Sequence, residues 1–233
     1  MCFSATVSFS VSFILLLTAV ASIQQARKKS LALANFACMP LFFALQQANE
    51  GILWLALSYH NQLWQLIGSS IYLFFAYVFW PIWIPWSLYA LEKPVYAYPG
   101  HQARQASPGW GSHTRKKLLA ICGIIGISYA ITVVSLASCC YPHISILNKH
   151  LFYNIPAIQD YYYYFFFLYC LSVVVPFFIM ANRLFWILGG LIALAAWLTY
   201  AIFLTHFTSI WCFFAAILSA FVYLIVRLVP KRF

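Results

Sequence analysis

Charge is what this chain has least of. Lys, Arg, Asp and Glu make up 7% of its 233 residues, with only three acids among them, where soluble domains carry about 25%. Hydrophobic residues make up 65%, and mean hydropathy is +0.88. A water-soluble fold cannot bury that much apolar surface. Lipid is therefore the solvent, and lipid admits only helices or closed barrels, because every backbone polar group must be satisfied internally. The polar/apolar alternation of barrel strands is missing too, since the long apolar runs Leu191 to Phe203 and Phe213 to Val226 hold a single hydroxyl residue each besides tyrosine, Thr199 and Ser219. There is no phosphate-cradling Gly loop, no CxxC pair and no Ser nucleophile elbow, so those soluble chemistries have no carrier. The last lysine, Lys231, lies beyond the last apolar run, which leaves no intramembrane Schiff-base lysine and excludes retinal.

The remaining pattern predicts an all-α bundle of seven transmembrane helices in a single domain, 1–233. A hydrocarbon core of about 30 Å takes roughly 20 helical residues. Seven windows fit, at about 4–25, 32–58, 64–90, 118–139, 161–181, 184–205 and 208–228. The breaks are chemically marked by Arg27-Lys28-Lys29, His60-Asn61-Gln62, the polar stretch from Glu92 to Lys117, the segment 141–160, and Ala181-Asn182-Arg183. A tight turn at 205–209 must split the last 40 or so apolar residues.

Orientation follows from the cations. With the N-terminus outside and the C-terminus cytoplasmic, 12 of the 13 basic residues fall inside and Lys149 alone outside. Cations that flank spans set topology and contact anionic lipid, so the net charge of +10 points to membrane lipids and not to nucleic acid. The first apolar segment lacks a basic n-region and is followed by basic residues, as expected of a retained anchor and not a cleaved signal. Trp80, Trp83 and Trp86, and Tyr161 to Tyr164, read as interfacial aromatic belts.

One ionisable residue falls inside a span. An acid at mid-membrane costs about 2.5–3.5 kcal/mol on insertion scales, which makes Glu50 a functional candidate by default. Gln46, Gln47 and Glu50 share a helix face with Trp54 through offsets of three and four. That face is expected to point into the bundle, where the carboxyl is either protonated or paired with a cation or metal. Two readings stand side by side: an interhelical hydrogen-bond knot, or the polar end of a ligand or ion site. His60, His143, His150 and His206 fall on the outer side, and His143, His150 and His206 are candidate metal ligands, although no pair has the i, i+4 ligand spacing. Cys2, Cys139, Cys140 and Cys212 lie near outer span ends, where an oxidising compartment permits a Cys2–Cys212 disulfide. Cys38, Cys122 and Cys170 read as small buried hydrophobes.

Five segments together carry a family resemblance: Met1-Cys2-Phe3-Ser4-Ala5-Thr6, Gln46-Gln47-Ala48-Asn49-Glu50-Gly51, Trp80-Pro81-Ile82-Trp83-Ile84-Pro85, His150-Leu151-Phe152-Tyr153 and Ser209-Ile210-Trp211-Cys212-Phe213-Phe214-Ala215-Ala216. The chain resembles an uncharacterised family of bacterial multi-pass membrane proteins whose members open Met-Cys-Phe-Ser-Ala and carry Gln-Gln-x-x-Glu-Gly in the second span. The resemblance implies a bacterial inner membrane and no particular chemistry. It draws Cys2, Glu50, His150, Tyr153, Trp211 and Cys212 together as an outer-side constellation.

The leading functional expectation is a small-solute or lipid binding or transport bundle. Its outward-facing pocket would be formed by Gln46, Gln47, Glu50, Trp54, His150, Tyr153 and Trp211, with kinks at Pro81, Pro85 and Pro176. One alternative is an intramembrane zinc hydrolase acting on lipid. The seven-helix ceramidase-like architecture is the analogy, but its paired histidines on the last span are missing. The other alternative is a structural or interaction protein whose polar residues only join helices.

Overall fold

The computed structural model describes residues 4–92, 111–139, 143–147, 150–154, 161–203 and 207–229. It is all-α apart from one hairpin. The helices are α1 (Ala5–Arg27), α2 (Leu31–Phe36), α3 (Met39–Ser58), α4 (Gln62–Leu73), α5 (Trp80–Leu91), α6 (Ser112–Cys139), α7 (Tyr162–Val173), α8 (Val175–Ile179), α9 (Arg183–Phe203), α10 (Phe207–Ser219) and α11 (Phe221–Leu228).

Six continuous or nearly continuous segments are long and apolar enough to cross a membrane: Ala5–Arg27, Leu31–Ser58, Gln62–Leu91, Ser112–Ser138, Arg183–Ile202 and Phe207–Leu228. The seventh apolar segment, Tyr163–Ile179, is shorter. This architecture is compatible with a multi-pass membrane protein. Large side chains such as Phe13, Ile124, Trp197 and Ile202 are more than 60% exposed on the outside of the bundle, a surface suited to acyl chains and not to water.

Local chemistry explains most of the breaks. Ser4, Ser30 and Asn61 each cap a helix by accepting a backbone N–H three residues ahead. Proline accounts for the interruptions inside spans. Pro40, near the start of α3, has no N–H to continue α2, and the two helices meet at Ala37 and Cys38. Pro176, near the start of α8, likewise separates α7 from α8. Ahead of Pro81 the helix widens to π geometry over Phe74–Phe79, where Trp80 N–H reaches back to the Phe75 carbonyl. The expected kinks at Pro81 and Pro176 thus take the form of a π segment and a break, while Pro85 stays inside α5.

Helix α5 lies very close to α6. A Cβ on Gly126 would stand 2.0 Å from the Pro81 carbonyl oxygen, so only glycine permits this approach. Where α5 ends and α6 begins, Arg115 Nε donates to Glu92 Oε1 at 2.8 Å, and both side chains are buried. Lys29 Nζ donates to the carbonyls of Val226 at 2.6 Å and Arg227 at 2.9 Å, and also to that of Val229, which ties the first span to the last turn of α11.

The segment after α6, marked in the sequence only as a break between spans, contains strands β1 (His143–Leu147) and β2 (His150–Asn154), antiparallel with Leu147 opposite His150. Ile144 and Ile146 alternate with polar neighbours in β1, and β2 carries the β-favouring run Leu151-Phe152-Tyr153. Leu151 is fully buried from this hairpin, against Leu53, Trp54, Tyr72 and Cys212. Trp80 also differs from expectation. It is no interfacial anchor but is 1% exposed in the core, because it lies on the buried face of α5 with Ile84 and Leu88, whereas Trp86 on the opposite face is exposed.

Candidate functional site

Helix α3 runs through the middle of the bundle, and its polar residues reach different neighbours. Gln46, Gln47 and Glu50 are fully buried, with Trp54 nearly so. Gln46 Oε1 accepts from Trp80 Nε1 of α5 at 2.8 Å, and Trp80 stacks on Phe43 with ring centroids 4.0 Å apart. Glu50 Oε1 accepts from Ser209 Oγ of α10 at 3.0 Å, and its Oε2 accepts from Gln47 Nε2 at 3.1 Å. Asn49 Nδ2 donates to the Gly68 carbonyl of α4 at 2.8 Å. The side chain of Glu50 is thus held from two sides, and α3 is joined to three other helices by polar groups on little more than one of its turns.

Trp54 and Tyr153 belong to one apolar cluster with Leu53, Tyr72 and Cys212. Tyr153 stacks flat on Tyr72, 4.5 Å between centroids and 4° between planes. The Cys212 thiol lies against the Tyr72 hydroxyl and the Gln46 amide. Tyr72 OH donates to the Thr208 carbonyl at 3.3 Å, and the Tyr77 hydroxyl bonds to Thr208 Oγ1 at 2.9 Å. The structure therefore brings together Gln46, Gln47, Glu50, Trp54, Tyr153, Trp211 and Cys212 along the contact of α3 with α10 and β2.

Free space lies beside this network. A cavity of about 60 Å³ opens between α6, α7, α10 and the π segment, with Tyr77, Tyr129, Tyr169, Thr208, Trp211 and Cys212 in its wall. A second, of about 20 Å³, lies deeper along Met39, Trp80 and Leu188, and Tyr169, Trp211 and Cys212 are common to both walls. Glu50 lines neither; it sits behind the wall, bonded to Ser209 between Thr208 and Cys212. Buried polar atoms at this locus with no hydrogen-bond partner among the described residues include Gln46 Nε2, Gln47 Oε1, Trp54 Nε1 and Trp211 Nε1.

The histidine candidates are not gathered. His143 pairs with Asn154 and His150 with Leu147, so their backbones stand at opposite ends of the hairpin, roughly 13 Å apart along the strands at about 3.4 Å per residue. His206 lies outside the described residues. Among the described residues no group of three His, Cys, Asp or Glu comes together. Cys212 carries a free, buried thiol, and Cys2, its expected partner, lies outside the described residues.

Three contributors are not evident from the sequence. Ser209 looked like part of a polar turn, yet α10 begins at Phe207 and carries Ser209 inward to Glu50. Tyr129 and Tyr169 gave no signal at all, because an aromatic residue in a span reads equally well as core packing. No protein-family model, curated protein or solved structure matches the chain.

Proposed function

We propose that this chain is a bacterial inner-membrane protein of seven spans, N-terminus outside and C-terminus cytoplasmic, that binds a small solute or lipid in the aromatic chamber beside Glu50, as a carrier or receptor. The observation that carries the reading is the combination of unpartnered buried polar atoms on Gln47, Trp54 and Trp211 with a cavity walled by Trp211. A knot that only joined helices would be expected to satisfy its own polar atoms. The site lies beside Glu50 and not on it, which refines the pocket expected from sequence. The topology is supported by the basic residues after α1, at the start of α6 and at the end of α11, and by the bond from Lys29 to the end of α11, which brings two of those groups to one side.

A purely structural role is the second reading, favoured by the way Gln46, Asn49 and Glu50 each bond outward or along α3. Thermal unfolding of the purified protein against a panel of polar lipids and small solutes separates the two. A binding protein gives at least one compound that raises the melting temperature of the wild type and not of Trp211→Leu. If no compound distinguishes the two proteins, and Glu50→Gln lowers the melting temperature alone, the polar residues are helix glue.

A further inference from the structure

We infer that the aromatic chamber takes a neutral aliphatic carbonyl compound whose oxygen accepts from Trp211 Nε1, an assignment that rests on the binding reading above. Trp211 is 4% exposed and stands in the wall of both cavities, and its buried indole nitrogen has no hydrogen-bond partner among the described residues. A buried N–H without an acceptor is costly, and an indole can only donate. What this site lacks is therefore an acceptor. Three rings hold the indole in place: Phe207, Tyr169 and Phe166 lie 5.0, 5.1 and 6.4 Å from it between centroids, at 47°, 65° and 56°. Turning away to find a partner elsewhere would give up that packing.

The wall narrows the kind of acceptor. Among the described residues, none lining the chamber is Asp, Glu, His, Lys or Arg. A carboxylate or phosphate would there be a charge without a counter-charge in apolar surroundings, which costs more than one hydrogen bond returns. The neutral acceptors are water, an alcohol, an ether and a carbonyl. A buried water wants two to four polar partners, and the wall hydroxyls of Tyr77 and Thr208 are already bonded to each other at 2.9 Å. An alcohol brings a proton that needs an acceptor in turn, and an ether oxygen accepts more weakly. A carbonyl oxygen is satisfied by the indole N–H, and the carbon chain behind it matches the rings.

Size limits the ligand further. The cavity holds about 60 Å³, whereas a cavity that takes benzene measures about 150 Å³. A ring does not fit whole. A carbonyl with the first few carbons of its chain does, and the cleft is only half enclosed, which leaves a way out for the remainder. A free aldehyde, ketone or small ester supplies this group, and so does the acyl ester of a bilayer lipid lying along the cleft.

The test is nuclear magnetic resonance of the full-length protein in detergent, isotope-labelled at its indole nitrogens. It is titrated with 2-hexanone, with 2-methyl-1-hexene, in which a methylene replaces the oxygen, and with hexanoate. The Trp211 indole proton, assigned by its loss in Trp211→Phe, is expected to move downfield with the ketone and to stay in place with the other two. The indoles of Trp80, bonded to Gln46, and of Trp54, outside the wall, should not respond. By calorimetry the ketone is expected to bind the wild type about two- to tenfold more tightly than the alkene at equal concentration in the micelle, the weight of one neutral hydrogen bond, and Trp211→Phe to erase the difference. If Trp211→Phe fails to fold, the comparison of ketone with alkene on the wild type decides. Diacyl phosphatidylcholine that moves the Trp211 resonance where its dialkyl ether analogue does not assigns the lipid ester as the source, and a response to added ketone alone assigns a free carbonyl compound. An indole that no carbonyl moves, or that the alkene moves equally, overturns the assignment. The binding reading then stands or falls separately, on whether any compound of the wider panel stabilises the wild type and not Trp211→Leu.

Discussion

Trp80 shows how much depends on a single side chain here. Its indole N–H is the donor to Gln46 Oε1, and its ring fills the core beside Phe43. Trp80→Phe keeps an aromatic ring but strands a buried amide oxygen. Polar pairs between helices in lipid contribute about 0.6 kcal/mol on average and up to about 2, and a stranded acceptor adds a desolvation penalty of about 1–3 kcal/mol. Unfolding in mixed micelles should therefore show Trp80→Phe destabilised by about 1–2 kcal/mol, with Trp83→Phe nearly neutral. Equal effects would mean that the indole matters for volume alone. The sequence placed Gln46, Gln47 and Glu50 on one inward face correctly, because helical periodicity is local. It did not name Trp80 or Ser209 as their partners, because residues 34 and 159 positions away are paired only by packing.

At the scale of elements, the contact between α5 and α6 is the most tightly constrained. Gly126 lets the α6 backbone come against the Pro81 carbonyl, while Gly123, one turn earlier, has only Pro85 Cβ nearby, at 4.0 Å. The two glycines should therefore respond in opposite ways. Gly126→Ala must push the helices apart and is expected to lower stability by about 1–3 kcal/mol, the usual cost of overpacking. Gly123→Ala should be neutral or stabilising by up to about 1 kcal/mol, since alanine is the better helix former and has room. Melting temperatures of the two variants check this directly. The helix breaks at Pro40 and Pro176 follow from proline's missing N–H. The hairpin His143–Asn154 is built from ordinary strand residues in a segment otherwise rich in turn formers, and its role in covering Trp54 and Tyr72 with Leu151 and Tyr153 appears only once the chain is folded.

For the whole molecule, direction in the membrane is the property that matters most to the proposed function. A seven-span chain with its N-terminus outside places Asn61 on the outer face and Lys28 on the inner. In a variant freed of native cysteines, Asn61→Cys should react with a membrane-impermeant maleimide in intact cells, and Lys28→Cys only after the membrane is permeabilised. The reverse pattern would turn the chamber toward the cytoplasm.

Composition and periodicity alone determined that this chain is built of long apolar helices suited to a membrane, where most of those helices begin and end, and that Glu50 faces inward with Gln46 and Gln47. Those properties depend on transfer free energy and on a repeat of 3.6 residues, both readable along the chain. Only tertiary structure decided that Glu50 is held by Ser209, that Trp80 is core and not belt, and that the open space is an aromatic chamber next to the carboxylate. Each of those depends on which helices lie side by side, and within a membrane nearly every helix face is apolar enough to pack against any other. The charge that is so scarce in the sequence is therefore informative about location, while its partners are supplied by the fold.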